Sequence, residues 1–176
     1  MYLTCARILA AFLLSFLAVA DAAQAARPRE GGEEVVETFE VPGTPRDRIY
    51  AAAKLWALGK LNSSRGAIDF ESPEEGILIG NGVIGYPCYS LFACMGKTEW
   101  KARFTLRIDV KDGRYRMTFS NLNVMWPASF EDGRGEPAYD GPISRSRDRA
   151  NLERAFHDLG IELREAILRA PRDADW

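Results

Sequence analysis

The chain has 176 residues, 23 basic against 25 acidic, for a formal net charge of −2. That balance gives no global electrostatic drive toward nucleic acid. One histidine and three cysteines leave little material for zinc ligation or nucleophilic catalysis.

Residues 1–7 carry Arg7 and no acid, and Ile8–Ala20 is apolar throughout except for Ser15. This stretch is shorter than the roughly 20 residues a membrane-spanning helix needs, and it suits the apolar centre of a secretory signal peptide. Ala23-Gln24-Ala25 has the small-x-small form that signal peptidase reads, so cleavage is expected after Ala25. Residues 1–25 are therefore read as a signal peptide, 26–33 as a charged flexible leader, 34–170 as one domain and 171–176 as a tail. The expected product is exported, periplasmic or secreted, with no membrane span after cleavage. Cleavage removes Cys5 and leaves Cys88 and Cys94. An even count in an exported chain predicts a disulfide between them. So short a loop makes that bond a local staple of about 2 kcal/mol in the chain-entropy view.

Val35–Val41 reads as a strand with Val35, Phe39 and Val41 on one face. Thr44-Pro45-Arg46-Asp47 reads as a helix start, with Thr44 as N-cap and Pro45 in the first helical position. That helix runs to about Leu58, buries a stripe of Ile49, Ala53 and Trp56, and stops at Gly59. Ala67–Glu71 and Ile77–Ile84 are the next strands, joined by the turn Pro73–Gly76. From Trp100 to Val110, apolar residues alternate strictly with Lys101, Arg103, Thr105, Arg107 and Asp109. Asp112-Gly113 is a preferred hairpin turn, and Arg114–Met125 returns as the fifth strand. Folding there pairs Val110 with Tyr115, Ile108 with Met117 and Leu106 with Phe119, all on one face. Trp126–Ser144 reads as a long loop. Arg147–Arg169 is a final helix with an apolar stripe from Leu152 to Ile167, and Gly160 inside it marks a possible kink.

The expected class is α+β, in the order β-α-β-β-β-β-α. It forms two layers: a five-stranded antiparallel sheet with two helices on one face. Val41-Pro42-Gly43 leads into a helix with Ile49-Tyr50 and Trp56. Glu75-Gly76-Ile77 opens the third strand, and the hairpin runs Val110-Lys111-Asp112-Gly113-Arg114-Tyr115-Arg116 with Phe119-Ser120-Asn121. Over about residues 35–170 these words resemble a family of exported bacterial domains of unknown function described as having a TATA-box-binding-protein-like (TBP-like) fold. The resemblance implies the fold and export, and no activity. A DNA role does not follow from the fold.

Gly80-Asn81-Gly82-Val83-Ile84-Gly85 matches a dinucleotide-binding pattern, but Tyr86-Pro87 follows where a helix N-terminus is required. These glycines are read as strand and bulge glycines. The acidic insert Glu131–Asp140 lacks calcium-loop spacing, with Arg134 where a ligand is wanted. No metal or other cofactor is expected. Asn62-Ser63-Ser64 is a glycosylation pattern that matters only in a eukaryotic secretory pathway. His157 lies about 100° from the buried stripe and is read as solvent-facing. No catalytic residue is assigned.

The outward residues of the hairpin are Lys101, Arg103, Arg107, Lys111, Arg114 and Arg116. If the helices cover the apolar face, these cations share one open face able to hold an anionic ligand. Trp126, Phe130 and Tyr139 form a second candidate contact surface. The reading that follows is a non-enzymatic binding or interaction module of the cell envelope, with an anionic envelope component or an exported protein as partner. Two alternatives stand beside it: an accessory protein binding an exported protein through loops or a sheet edge, and a hydrolase with an unrecognised site.

Overall fold

Alternating apolar residues drive the central hairpin, and the computed structural model follows that pattern closely. It describes residues 34–61, 68–90, 94–131 and 134–170, without the side chains of 129–136. The expected signal peptide, leader, tail and glycosylation pattern lie outside the described residues.

The elements are β1 (Val35–Glu40), α1 (Arg46–Lys60), β2 (Phe70–Ser72), β3 (Ile77–Gly85), β4 (Lys101–Lys111) and β5 (Arg114–Trp126). There follow β6 (Ser129–Glu131), β7 (Arg134–Glu136), β8 (Tyr139–Pro142) and α2 (Ser146–Arg169). All strand pairs are antiparallel, in the order β1-β5-β4-β3-β2, with β8 also on β5. The fold is the expected two-layer α+β arrangement, with one more strand in the main sheet. The expected loop at 126–144 instead makes the β6–β7 hairpin and β8. The reason lies in β5: β1 pairs only its residues 114–119, and β8 pairs the remaining edge at 123–126.

The expected hairpin register is the one observed: Val110 with Tyr115, Ile108 with Met117, Leu106 with Phe119. Beyond it the ladder shifts. Thr105 pairs with Ser120 but Arg103 with Asn123, so Asn121 and Leu122 together oppose Phe104. Asn121 has φ 52°, a left-handed conformation that asparagine tolerates better than most residues. The extra residue switches the strand's parity. Tyr115, Met117 and Phe119 face the core before it, and Leu122 and Val124 after it. Phe119 stacks on Phe156 of α2, with ring centroids 4.0 Å apart, and Phe104 meets both edge to face.

Three local expectations need correction. Pro45, not Thr44, is the N-cap of α1, and no side chain of that turn caps it. The Arg46 N–H instead donates to the Asp112 carboxylate at 2.7 Å, so the hairpin turn caps the helix from a distance. Thr44 contributes its backbone, accepting from the Gly113 N–H at 3.0 Å. Gly59 does not end α1, which continues to Lys60. The second strand, expected over Ala67–Glu71, is Phe70–Ser72, with Phe70 paired to Ile79 on the open face and 50% exposed.

Gly160 permits close packing. A Cβ there would lie 2.0 Å from the Phe39 ring. Phe39 stacks on Tyr115, whose hydroxyl donates to the Gly160 carbonyl at 2.6 Å. β1, β5 and α2 therefore meet at one point. Gly82 plays the same part in β3, where a Cβ would lie 2.6 Å from the Phe104 ring. The glycine-rich segment is thus strand backbone under an aromatic ring, paired along β4.

Two helical glycines give a paired test by thermal and chemical denaturation. Gly160→Ala is expected to cost about 1–3 kcal/mol by overpacking against Phe39. Gly59→Ala has nothing within 4 Å of the new methyl, so it should be neutral or stabilising by up to about 1 kcal/mol. Equal effects at the two sites would contradict the packing role of Gly160.

Candidate functional site: the open sheet face

Both helices pack on one side of the sheet, with their buried residues in the same core cluster as Ala102–Val110 and Tyr115–Phe119. The other side carries rows of residues fixed by register. At the hairpin tip the row is Glu40, Arg114, Lys111. The next row is Thr38, Arg116, Asp109, Ile77, Ser72, and the one after it Val36, Thr118, Arg107, Ile79, Phe70. Farther along, Asn81 and Thr105 face Ser120, then Val83 and Arg103 face Asn123, and Lys101 faces Met125. All six expected cations therefore share the open face.

They are not electrostatically equivalent. Asp109 accepts from Arg107 Nη2 at 2.8 Å and Nε at 3.0 and 3.1 Å, and from Arg116 Nη2 at 3.2 Å. Arg103 pairs with Asp140 of β8 at 2.8 Å. Among the described residues, Lys101, Lys111 and Arg114 make no ion pair. Lys111 and Arg114 sit directly opposite each other across the turn and are exposed. Together with Thr38, Asp109, Tyr115 and Arg116 they line a depression of about 250 Å³. They also line a neighbouring depression with Glu40, Pro42, Arg46, Asp112 and Gly113. The tip is rigid because Asp112 caps α1 and the Val41 N–H donates to the Gly113 carbonyl at 2.8 Å. Sequence reading missed the Asp140–Arg103 pair because β8 carries no alternating pattern. It also missed Thr38, the uncharged polar residue of an edge strand.

The other end of the sheet is aromatic. Trp126 is stacked between Trp100 and Tyr139, with centroids at 4.4 and 4.3 Å. Tyr86 meets Trp100 edge to face. Its hydroxyl donates to the buried Asp148 at 2.5 Å, and burial and that carboxylate push the phenol up to about 12. Two of the three expected contact-loop residues are thus packed together, with both ring faces of Trp126 occupied. Phe130 lies in β6, and its side chain is outside the described residues. Cys88 and Cys94 lie half-buried in the adjoining loop. His157 is on the helix side, exposed, with Nδ1 2.7 Å from Glu37.

Asp109 gives a pH-dependent test. Burial alone would raise its carboxyl, but the hydrogen bonds and charges of Arg107 and Arg116 outweigh burial and hold it below the usual carboxylate range. A carboxylate held down in the folded state stabilises above its unfolded value near about 4 and loses that contribution as pH falls through the lower folded value. Asp109→Asn should therefore be less stable than wild type at neutral pH, with the gap closing below about pH 4. Denaturant titrations at several pH values measure this, and a gap independent of pH would contradict a charge-based role.

Residues 36–125 match the profile of a domain of unknown function (DUF4468) with TBP-like fold. Among solved structures, a TBP-like protein from Parabacteroides distasonis is 12% identical and aligns with a TM-score of 0.54, covering 78% of this chain and 94% of its own. A DUF4468 family protein from Bacteroides ovatus is 14% identical with a TM-score of 0.47, covering 78% of this chain and 86% of its own. No curated protein sequence matches. The profile match spans β1 to β5, the strands that carry the open face, and the chain belongs to the DUF4468 family of domains of unknown function with a TBP-like fold.

Proposed function

We propose that this chain is an exported, non-enzymatic binding module of the cell envelope whose open face holds an acidic polysaccharide at the β4–β5 hairpin tip. The observation that carries the reading is the pair Lys111 and Arg114. They are opposed on a rigid turn, exposed, and without a carboxylate partner among the described residues. Two adjacent cations on a fixed backbone suit a repeating polyanion, whose charges recur along the chain. Arg116 and Thr38 extend the contact along the next row. Arg103 and Arg107 contribute less, being occupied by Asp140 and Asp109. Export rests on the signal-peptide reading of residues 1–25, which places the module where such polymers occur.

A second reading, a protein partner, is favoured by the outer edge of β1. Among the described residues this strand pairs only with β5 and leaves Val36 53% exposed. Such an edge can accept a strand from another chain.

Polygalacturonate serves as a probe polyanion. Binding measured by calorimetry at low salt is expected to weaken about tenfold in Lys111→Ala/Arg114→Ala, the loss of roughly 1.4 kcal/mol from two exposed charges. It should also weaken as salt rises. Arg103→Ala should stay within about twofold of wild type, since Asp140 already holds that guanidinium. Equal losses in the two variants, or binding insensitive to salt, would refute the tip as the site.

A further inference from the structure

The loop that follows β3 is held at both stems. The Tyr86 N–H donates to the Trp100 carbonyl at 2.9 Å, and the Trp100 N–H to the Lys97 carbonyl at 3.1 Å. The Lys97 N–H reaches the Cys94 carbonyl at 3.0 Å, and the Cys94 N–H the Ser90 carbonyl at 3.0 Å. Lys97 Nζ lies over the rings of Tyr86 and Trp100, 4.9 and 4.6 Å from their centroids. Cys88 packs on the cluster of Tyr86, Trp100 and Val124. Within this frame Cys88 and Cys94 are half-buried neighbours, with Cys94 close enough to act on the Cys88 thiol. The backbone hydrogen bonds and the aromatic packing of Cys88 hold this pair within one short, framed loop.

We infer that Cys88 and Cys94 are a bridge-forming pair, closed to a structural disulfide in an oxidising compartment, and that the bridge clamps this loop onto the aromatic end of the sheet. The S–S bond forms as both S–H bonds break. The two protons and two electrons pass to an exchanging disulfide oxidant, which leaves as its two thiols. The surroundings favour a structural bond over a catalytic dithiol. Burial and the neighbouring Cys94 push the Cys88 thiol up to about 11, so its attacking thiolate is scarce near neutral pH. The Lys97 ammonium, which acts in the opposite direction, is held over the two rings. A pair already neighbouring in the folded chain needs little distortion to bond, and distortion is the usual reason added bridges underperform.

The test uses the full chain exported into an oxidising bacterial envelope and purified without reductant. The protein is denatured, alkylated and mapped by peptide mass spectrometry. The expected result is a peptide pair joined through Cys88 and Cys94, with both sulfurs alkylated only after reduction. Recovery of both as alkylated residues before reduction, or of either joined to another thiol, overturns the inference. A second measurement reads the clamp itself. Reductant should lower the thermal midpoint of the wild type and leave Cys88→Ser unchanged, whereas equal shifts in both proteins overturn the clamping role.

Discussion

The β4–β5 ladder is the constraint on which the rest depends. Its register places every apolar residue of Ala102–Val110 under the helices and every cation of Lys101–Lys111 on the opposite side. A slip of one residue would exchange the two faces. The Asp112-Gly113 turn sets that register, and the same turn caps α1 through the Asp112 carboxylate. One short segment thus fixes the sheet, anchors a helix and stiffens the tip that carries Lys111 and Arg114.

The second joint lies on the covered side. β1 is the edge of the sheet, yet Phe39 reaches inward to stack on Tyr115 and to press against the backbone of α2 at Gly160. The Tyr115 hydroxyl closes the contact on the Gly160 carbonyl, in a setting where burial keeps the phenol protonated. The bulge at Asn121 is the third device. By inserting one residue it keeps Leu122 and Val124 in the core while β5 extends far enough to accept β8. β8 then delivers Asp140 to Arg103 and Tyr139 to the aromatic stack.

Much of this is legible in the chain itself. Strict alternation from Trp100 to Val110 and a two-residue turn are enough to place the central hairpin in register. The apolar stripes place both helices. The cations follow from the same alternation, because a face is determined once its opposite is buried. Three features were hidden, each for a physical reason. The cap on α1 comes from Asp112, distant in sequence, so no local capping pattern announces it. β8 is Tyr-Asp-Gly-Pro, whose turn-forming residues mask a strand stabilised only by the vacant edge of β5. The neutralisation of Arg103 depends on Asp140 arriving from β8, and alternation alone does not report that. Among the described residues the structure leaves three of the six cations without an ion pair, Lys101 and, at the tip, Lys111 and Arg114. It also recasts Trp126 and Tyr139 as packed rings instead of free contacts.

The central claim is that binding is located at the hairpin tip of the open face. Its most direct test is an amide chemical-shift map of the protein titrated with polygalacturonate at low salt. The account predicts shifts concentrated at Thr38 and from Lys111 to Arg116, fading toward Lys101 and absent from α1 beyond its first turn and from α2. Shifts centred on the loop from Tyr86 to Trp100, spread evenly over the open face, or missing altogether would contradict it.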